Sequence, residues 1–141
     1  MRKIVVTVII FGFVLLVSAK ETETIDQLKA RAAAAEQKKQ AELYSQLAKM
    51  QLEAANNVYE AHADEARNLI AESADSAEKA ATASMESKKR EKKTEIDLRE
   101  LAKRMDDIGK TWAFDDRAPV KAAIQRVENV RSKLLDRMFQ K

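Results

Sequence analysis

The chain has 141 residues, 45% of them apolar and 5% aromatic, with 26 Lys and Arg against 23 Asp and Glu, and no cysteine. That length suits one domain, and the lack of cysteine excludes both a disulfide framework and a thiol-based site. The near balance of charge predicts against a nucleic-acid binder, which needs a net basic face to displace counterions from phosphate.

Residues 1–19 read as a secretory signal peptide. Arg2 and Lys3 open it, residues 4–17 are apolar or small without interruption, and Val17-Ser18-Ala19 places small side chains where a signal peptidase needs them. The polar run Lys20-Glu21-Thr22-Glu23 follows at once. The apolar run is 14 residues long, whereas a membrane-spanning helix needs about 20. Cleavage between Ala19 and Lys20 leaves 122 residues with 24 cations against 23 acids, a net charge of +1. No cysteine follows for lipid attachment, and no later segment is apolar enough to span a bilayer. The expectation is an exported protein of the periplasm or cell exterior, without stable membrane insertion, in which residues 20–141 form one helical domain.

Beyond residue 19 the only glycine is Gly109 and the only proline is Pro119, and no segment alternates with period two. The pattern predicts an all-α fold. Thr24-Ile25-Asp26-Gln27 matches a capping box and opens a short helix over 25–35. The polar residues 36–40 fit either a turn or a continuation. Leu43, Leu47, Met50, Ala54 and Val58 then recur at three and four, marking one face of a helix flanked by Tyr44, Ala48 and Ala55.

Asp64 suits an N-cap, and Ala66, Leu69, Ile70, Ser73, Ala77, Ala80 and Ala81 line a narrow face after it. This helix fades through the polar stretch 86–93. Thr94-Glu95-Ile96-Asp97 resembles a weaker capping box. Leu98, Leu101, Met105, Ile108 and Trp112 form an a/d seam, with Gly109 inside it as a point of fraying. Asp115 or Asp116 caps the last helix, Pro119 falls in its first turn, and Val120, Ile124, Val127, Val130 or Arg131, Leu134 and Met138 make its seam. Together these predict antiparallel, coiled-coil-like hairpins in an elongated bundle of about four helices. With alanine supplying much of the apolar fraction, each side chain buries little area.

Few residues carry chemistry. His62 is the sole histidine, and with Asp64 alone beside it the reading is a surface residue at a helix end, since neither a zinc set nor a triad is present. Asp106-Asp107 and Asp115-Asp116 are neighbours in sequence, and adjacent helical residues point about 100° apart. No glycine-rich loop exists to cradle phosphate. Catalytic, metal and cofactor sites are therefore all read as none. Trp112 and Phe114 are candidate partner contacts, with packing at the bundle end the favoured alternative. Tyr44 and Tyr59, fifteen residues apart, belong to the core edge or to a contact surface. Lys88, Lys89 and Arg90 form the densest basic run, read as a solvated face or a contact site.

The segment Tyr59-Glu60-Ala61-His62-Ala63-Asp64-Glu65-Ala66, with Ile70 one turn later, resembles the helix-turn-helix of a degenerate tetratricopeptide repeat. His62 or Ala63 stands where that family places glycine, and no second copy follows. The whole chain resembles uncharacterised exported all-helical bacterial proteins that end in an Asp-Arg-x-Pro corner and a basic last helix, which implies a compartment and no mechanism. The function expected is non-enzymatic protein–protein contact, as a scaffold or adaptor in the cell envelope, with self-association among the options. The alternative is a periplasmic holdase chaperone, suggested by a Lys-rich surface together with the adaptable side chains Met50, Met85, Met105 and Met138.

Overall fold

A computed structural model describes residues 23–140. The segment read as a signal peptide, and its cleavage site at Ala19 and Lys20, lie outside the described residues. Among the described residues there are five α-helices and no strand. They are α1 (Ile25–Ala34), α2 (Gln37–Val58), α3 (Ala63–Ser87), α4 (Glu91–Thr111) and α5 (Arg117–Phe139), with a 3-10 turn at Phe114–Asp116. The fold is an all-α bundle of antiparallel neighbours. It has five helices rather than about four because the polar stretch 36–40 does not continue α1.

The capping box opens α1 as its residues predict. The Gln27 amide N–H donates to Thr24 Oγ1 at 3.2 Å, and the Thr24 N–H donates to Gln27 Oε1 at 3.0 Å. The chain then breaks at Ala35 and Glu36, both extended, without glycine or proline. Tertiary packing explains the break. Leu28 and Ala32 fold back onto Tyr44, Leu47 and Ala80. Gln40 Nε2 donates to the Ala32 carbonyl at 3.2 Å, which also accepts the Ala35 N–H at 3.4 Å, so a side chain of α2 ties down the end of α1.

The buried face of α2 is Ala41, Tyr44, Ser45, Leu47, Ala48, Gln51, Leu52 and Ala55. It is rotated from the expected stripe, of which only Leu47 is fully buried. The helix packs on two sides at once. Leu43 and Met50 lean toward α1, while the small residues face α3. α2 and α3 pack more extensively than any other pair. Alanine and serine there let the backbones approach so closely that Ser73 Oγ donates to the Ala48 carbonyl of the facing helix at 2.7 Å. Gln51, 1% exposed, accepts from Ser76 Oγ at 2.6 Å.

The second half follows the seams closely. Leu98, Leu101, Met105, Ile108 and Trp112 of α4 are all buried, against Val120, Ala123, Val127 and Leu134 of α5. Local details differ from expectation in four places. α3 starts at Ala63 with His62 at the N-cap, and Asp64 sits in its first turn, paired with Arg67. α3 reaches Ser87 and α4 begins at Glu91, so Thr94 lies buried inside α4 rather than capping it. Gly109 does not fray; a Cβ there would stand 2.8 Å from Val120 Cγ1, so it marks the close approach of α4 to α5. Asp116 occupies the N-cap position of α5, but its carboxylate caps nothing and is bonded to another helix.

Candidate interaction surface

The corner between α4 and α5 is built from residues far apart in sequence. Trp112 is 2% exposed. Its indole stacks flat on the Tyr59 ring, with centroids 4.2 Å apart and planes 1° from parallel. The Tyr59 hydroxyl donates to Asp116 Oδ2 at 2.6 Å and accepts from the Ala113 N–H at 2.8 Å. Arg67 of α3 also binds the Asp116 carboxylate. The Tyr59 hydroxyl, and then Arg67, hold the Asp116 carboxyl below the usual carboxylate range against the opposing effect of burial. In return, Asp116 pushes the Tyr59 phenol up. Arg117 Nε donates to the Trp112 carbonyl at 3.1 Å and Nη2 to the Lys110 carbonyl at 3.2 Å, closing off the end of α4. The corner is thus tied to the α2–α3 turn by a stack, a shared hydroxyl and an ion pair.

On this braced corner Phe114 is 82% exposed. Phe114 and Trp112 therefore part ways. Trp112 continues the α4 seam into the core and is not a free contact, whereas Phe114 does not plug the bundle end. The backbone explains the difference, because Ala113 is extended and the 3-10 turn that follows has no buried residue. Tyr44 is also removed from the contact candidates. It is 9% exposed, in the cluster with Leu28 and Leu47, with Lys79 Nζ 5.5 Å from its ring centroid. Tyr59 is half-buried by its stack.

At the other end of the bundle, the turn between α3 and α4 is Lys88-Lys89-Arg90. Lys88 and Arg90 both adopt the left-handed conformation, with φ of 56° and 62°. Lys88 and Lys89 are exposed. Arg90 is not simply solvated, because it pairs at 2.9 Å with Asp97, whose side chain is 2% exposed. Lys93 reaches the same carboxylate at 2.8 Å and Lys49 of α2 at 3.5 Å. Burial pushes the Asp97 carboxyl up, but Lys93, Lys49 and Arg90 outweigh it and hold it below its usual range. The basic run is therefore partly structural. The (i, i+4) spacing of Lys93 and Asp97 was the one sequence signal for this cluster.

The remaining candidates stay apart. His62 is exposed at the start of α3. Asp106 pairs with Lys110 at 2.6 Å, and Asp107 and Asp115 are exposed. Among the described residues no group of three or more His, Cys, Asp or Glu could hold a metal ion, and no helix is long and apolar enough to cross a membrane. Met105 is buried, and Met50, Met85 and Met138 are half-buried against the two cores. Residues 59–62 form the turn between α2 and α3, helices of 22 and 25 residues. An exposed Phe139 at the end of α5, 80% accessible, had no signal in the sequence beyond its place near the last residue. No family model, curated protein or solved structure matches the chain.

Proposed function

We propose that this chain is an exported, non-enzymatic helical protein that works as a scaffold or adaptor in the cell envelope, through contact with a protein partner at the α4–α5 corner. The observation that supports the reading is Phe114, a large apolar side chain 82% exposed on a turn held rigidly from behind. Aromatic anchors on pre-organised backbone supply much of the energy of protein interfaces, because little conformational entropy is lost when they dock. Export rests on the pattern of residues 1–19. Of the two features behind the holdase alternative, the methionines lie in or against the core, and the lysine-rich surface remains in its favour.

A photo-crosslinking amino acid at position 114, introduced in the native cell envelope and followed by mass spectrometry, tests the reading. One recurrent partner, lost in the Phe114→Ser protein, is the expected result. Crosslinks spread over many unrelated unfolded proteins would favour the holdase. A partner retained by Phe114→Ser would remove this corner as the contact.

A further inference from the structure

We propose that the opposite end of the bundle, formed by the α3–α4 turn and the last turn of α5, docks on an anionic lipid surface. The two segments meet there, since Lys88 and Glu91 line one depression together with Arg137, Met138 and Gln140. Lys88, Lys89, Lys92 and Arg137 are exposed around it, and none makes an ion pair among the described residues. Phe139, the last residue of α5 and the sequence neighbour of Met138, is 80% exposed. Glu86, Glu91 and Asp136 offset part of the charge. A second surplus lies behind it, where Lys49, Arg90 and Lys93 surround the single carboxylate of Asp97.

Lys88 supplies an independent argument. It is the left-handed residue that ends α3, with φ of 56°. Helices place glycine at that position because a Cβ is disfavoured there. Arg90, the other left-handed residue of the turn, is accounted for by its pair with Asp97. Lys88 has no such partner, so its charge is kept on a strained backbone without benefit to the fold.

The chemistry favours a bilayer over an acidic protein or a nucleic acid. Three of the four free cations are lysines, whose ammonium groups act as hydrated point charges and lack the forked geometry that reads a single carboxylate or phosphate. A bilayer offers many anionic headgroups together with an apolar layer for an aromatic side chain. The patch stands apart from Phe114, at the far end of α5, and does not depend on the corner's role.

Because the chain contains no cysteine, Phe139→Cys in the full chain can carry a single environment-sensitive dye, with Phe114→Cys as the control at the other end. Comparison with the label at 114 separates docking through this end from adsorption through other parts of the chain. Vesicles of phosphatidylcholine containing phosphatidylglycerol should blue-shift the label at 139, more weakly as salt rises. Pure phosphatidylcholine should not, and the label at 114 should not respond. Lys88→Gln/Lys89→Gln/Lys92→Gln should weaken the response by about two orders of magnitude, at about five-fold per lysine. Lys88→Gly should melt at or above the temperature of the parent yet bind more weakly, which a purely structural role could not produce. No shift at 139, an equal shift at 114, or unchanged binding by the triple variant would overturn the proposal. A shift with polyglutamate or duplex DNA and none with phosphatidylglycerol would replace it with an acidic partner.

Discussion

Gly109→Ala is expected to destabilise the bundle, although alanine is the better helix former. In an isolated helix the change would gain about 1 kcal/mol. Here the new Cβ falls 2.8 Å from Val120 Cγ1, 3.4 Å from its Cβ and 3.7 Å from Cγ2. Valine is stiff at χ1, with one rotamer strongly preferred in a helix, so it resists turning aside. Val120 is 1% exposed and packed in the main core, so it has no free space into which to retreat. Overpacking of this kind costs about 2 kcal/mol, leaving a net loss of about 1 kcal/mol once the helix gain is subtracted. The check is urea unfolding followed by both Trp112 emission and far-ultraviolet circular dichroism. Val120→Ala alone should cost about 2 kcal/mol, from two lost methyl groups and the cavity they leave. In the double variant the alanine at 109 fills part of that space, so the two changes should couple favourably by about 1–2 kcal/mol. Gly109→Ala as stable as the parent, with no coupling to Val120→Ala, would refute the close-approach reading and restore Gly109 as a simple weak point.

Trp112→Ala should cost about 3–4 kcal/mol, the range for a buried aromatic, and the parent's emission should be blue-shifted and protected from acrylamide; red-shifted, freely quenched emission would contradict its burial. The carboxyls of Asp97 and Asp116 are depressed in the fold. Each therefore adds stability that is fully present above the unfolded carboxylate value near 4 and is lost as pH falls through the lower folded values. Acid titration of the melting temperature should show that decline, and Asp97→Asn should flatten part of it while destabilising the neutral protein by about 2 kcal/mol, since its cations still reach water. A melting temperature independent of pH down to the acid limit would count against both pairs. Ser76→Ala should cost about 1–2 kcal/mol because it leaves the buried Gln51 Oε1 without its donor, and an unchanged denaturation midpoint would show that Gln51 finds another partner.

The parts of the fold legible in the sequence are those where one apolar face meets one partner. The α4 seam from Leu98 to Trp112 is of this kind, and every member is buried. α2 is not, because it is covered on two sides, and a stripe drawn through its largest residues points between them. The break at Ala35–Glu36 carries no turn residue, since it is set by Leu28 and Ala32 returning to the bundle. Spacing set Trp112 on the α4 seam, whereas no spacing signal placed Phe114. Only the extended Ala113 and the 3-10 turn put one inside and the other out. The bonds that brace the corner join Tyr59 and Arg67 to Asp116 across 57 and 49 positions, with no local pattern to announce them.

The α2–α3 seam repeats every seven residues on both sides, with Ala41, Ala48 and Ala55 facing Ala66, Ser73 and Ala80. Sliding one helix along the other by a heptad, about 10 Å, would set small residue against small residue again. Shape at these positions therefore discriminates weakly, and the register in shape rests on the larger neighbours Leu47 and Leu52 of α2 and Ile70 of α3. The Ser76 hydroxyl adds a polar mark, since a slipped hairpin would leave Gln51 without its donor, whereas Ser73 would meet the equivalent backbone carbonyl one heptad away. Ser76 and Gln51 thus act as a vernier on a coarser apolar scale. Apolar replacements at Ser76 and Gln51 would be expected to keep the hairpin helical and compact while narrowing its preference for the native alignment.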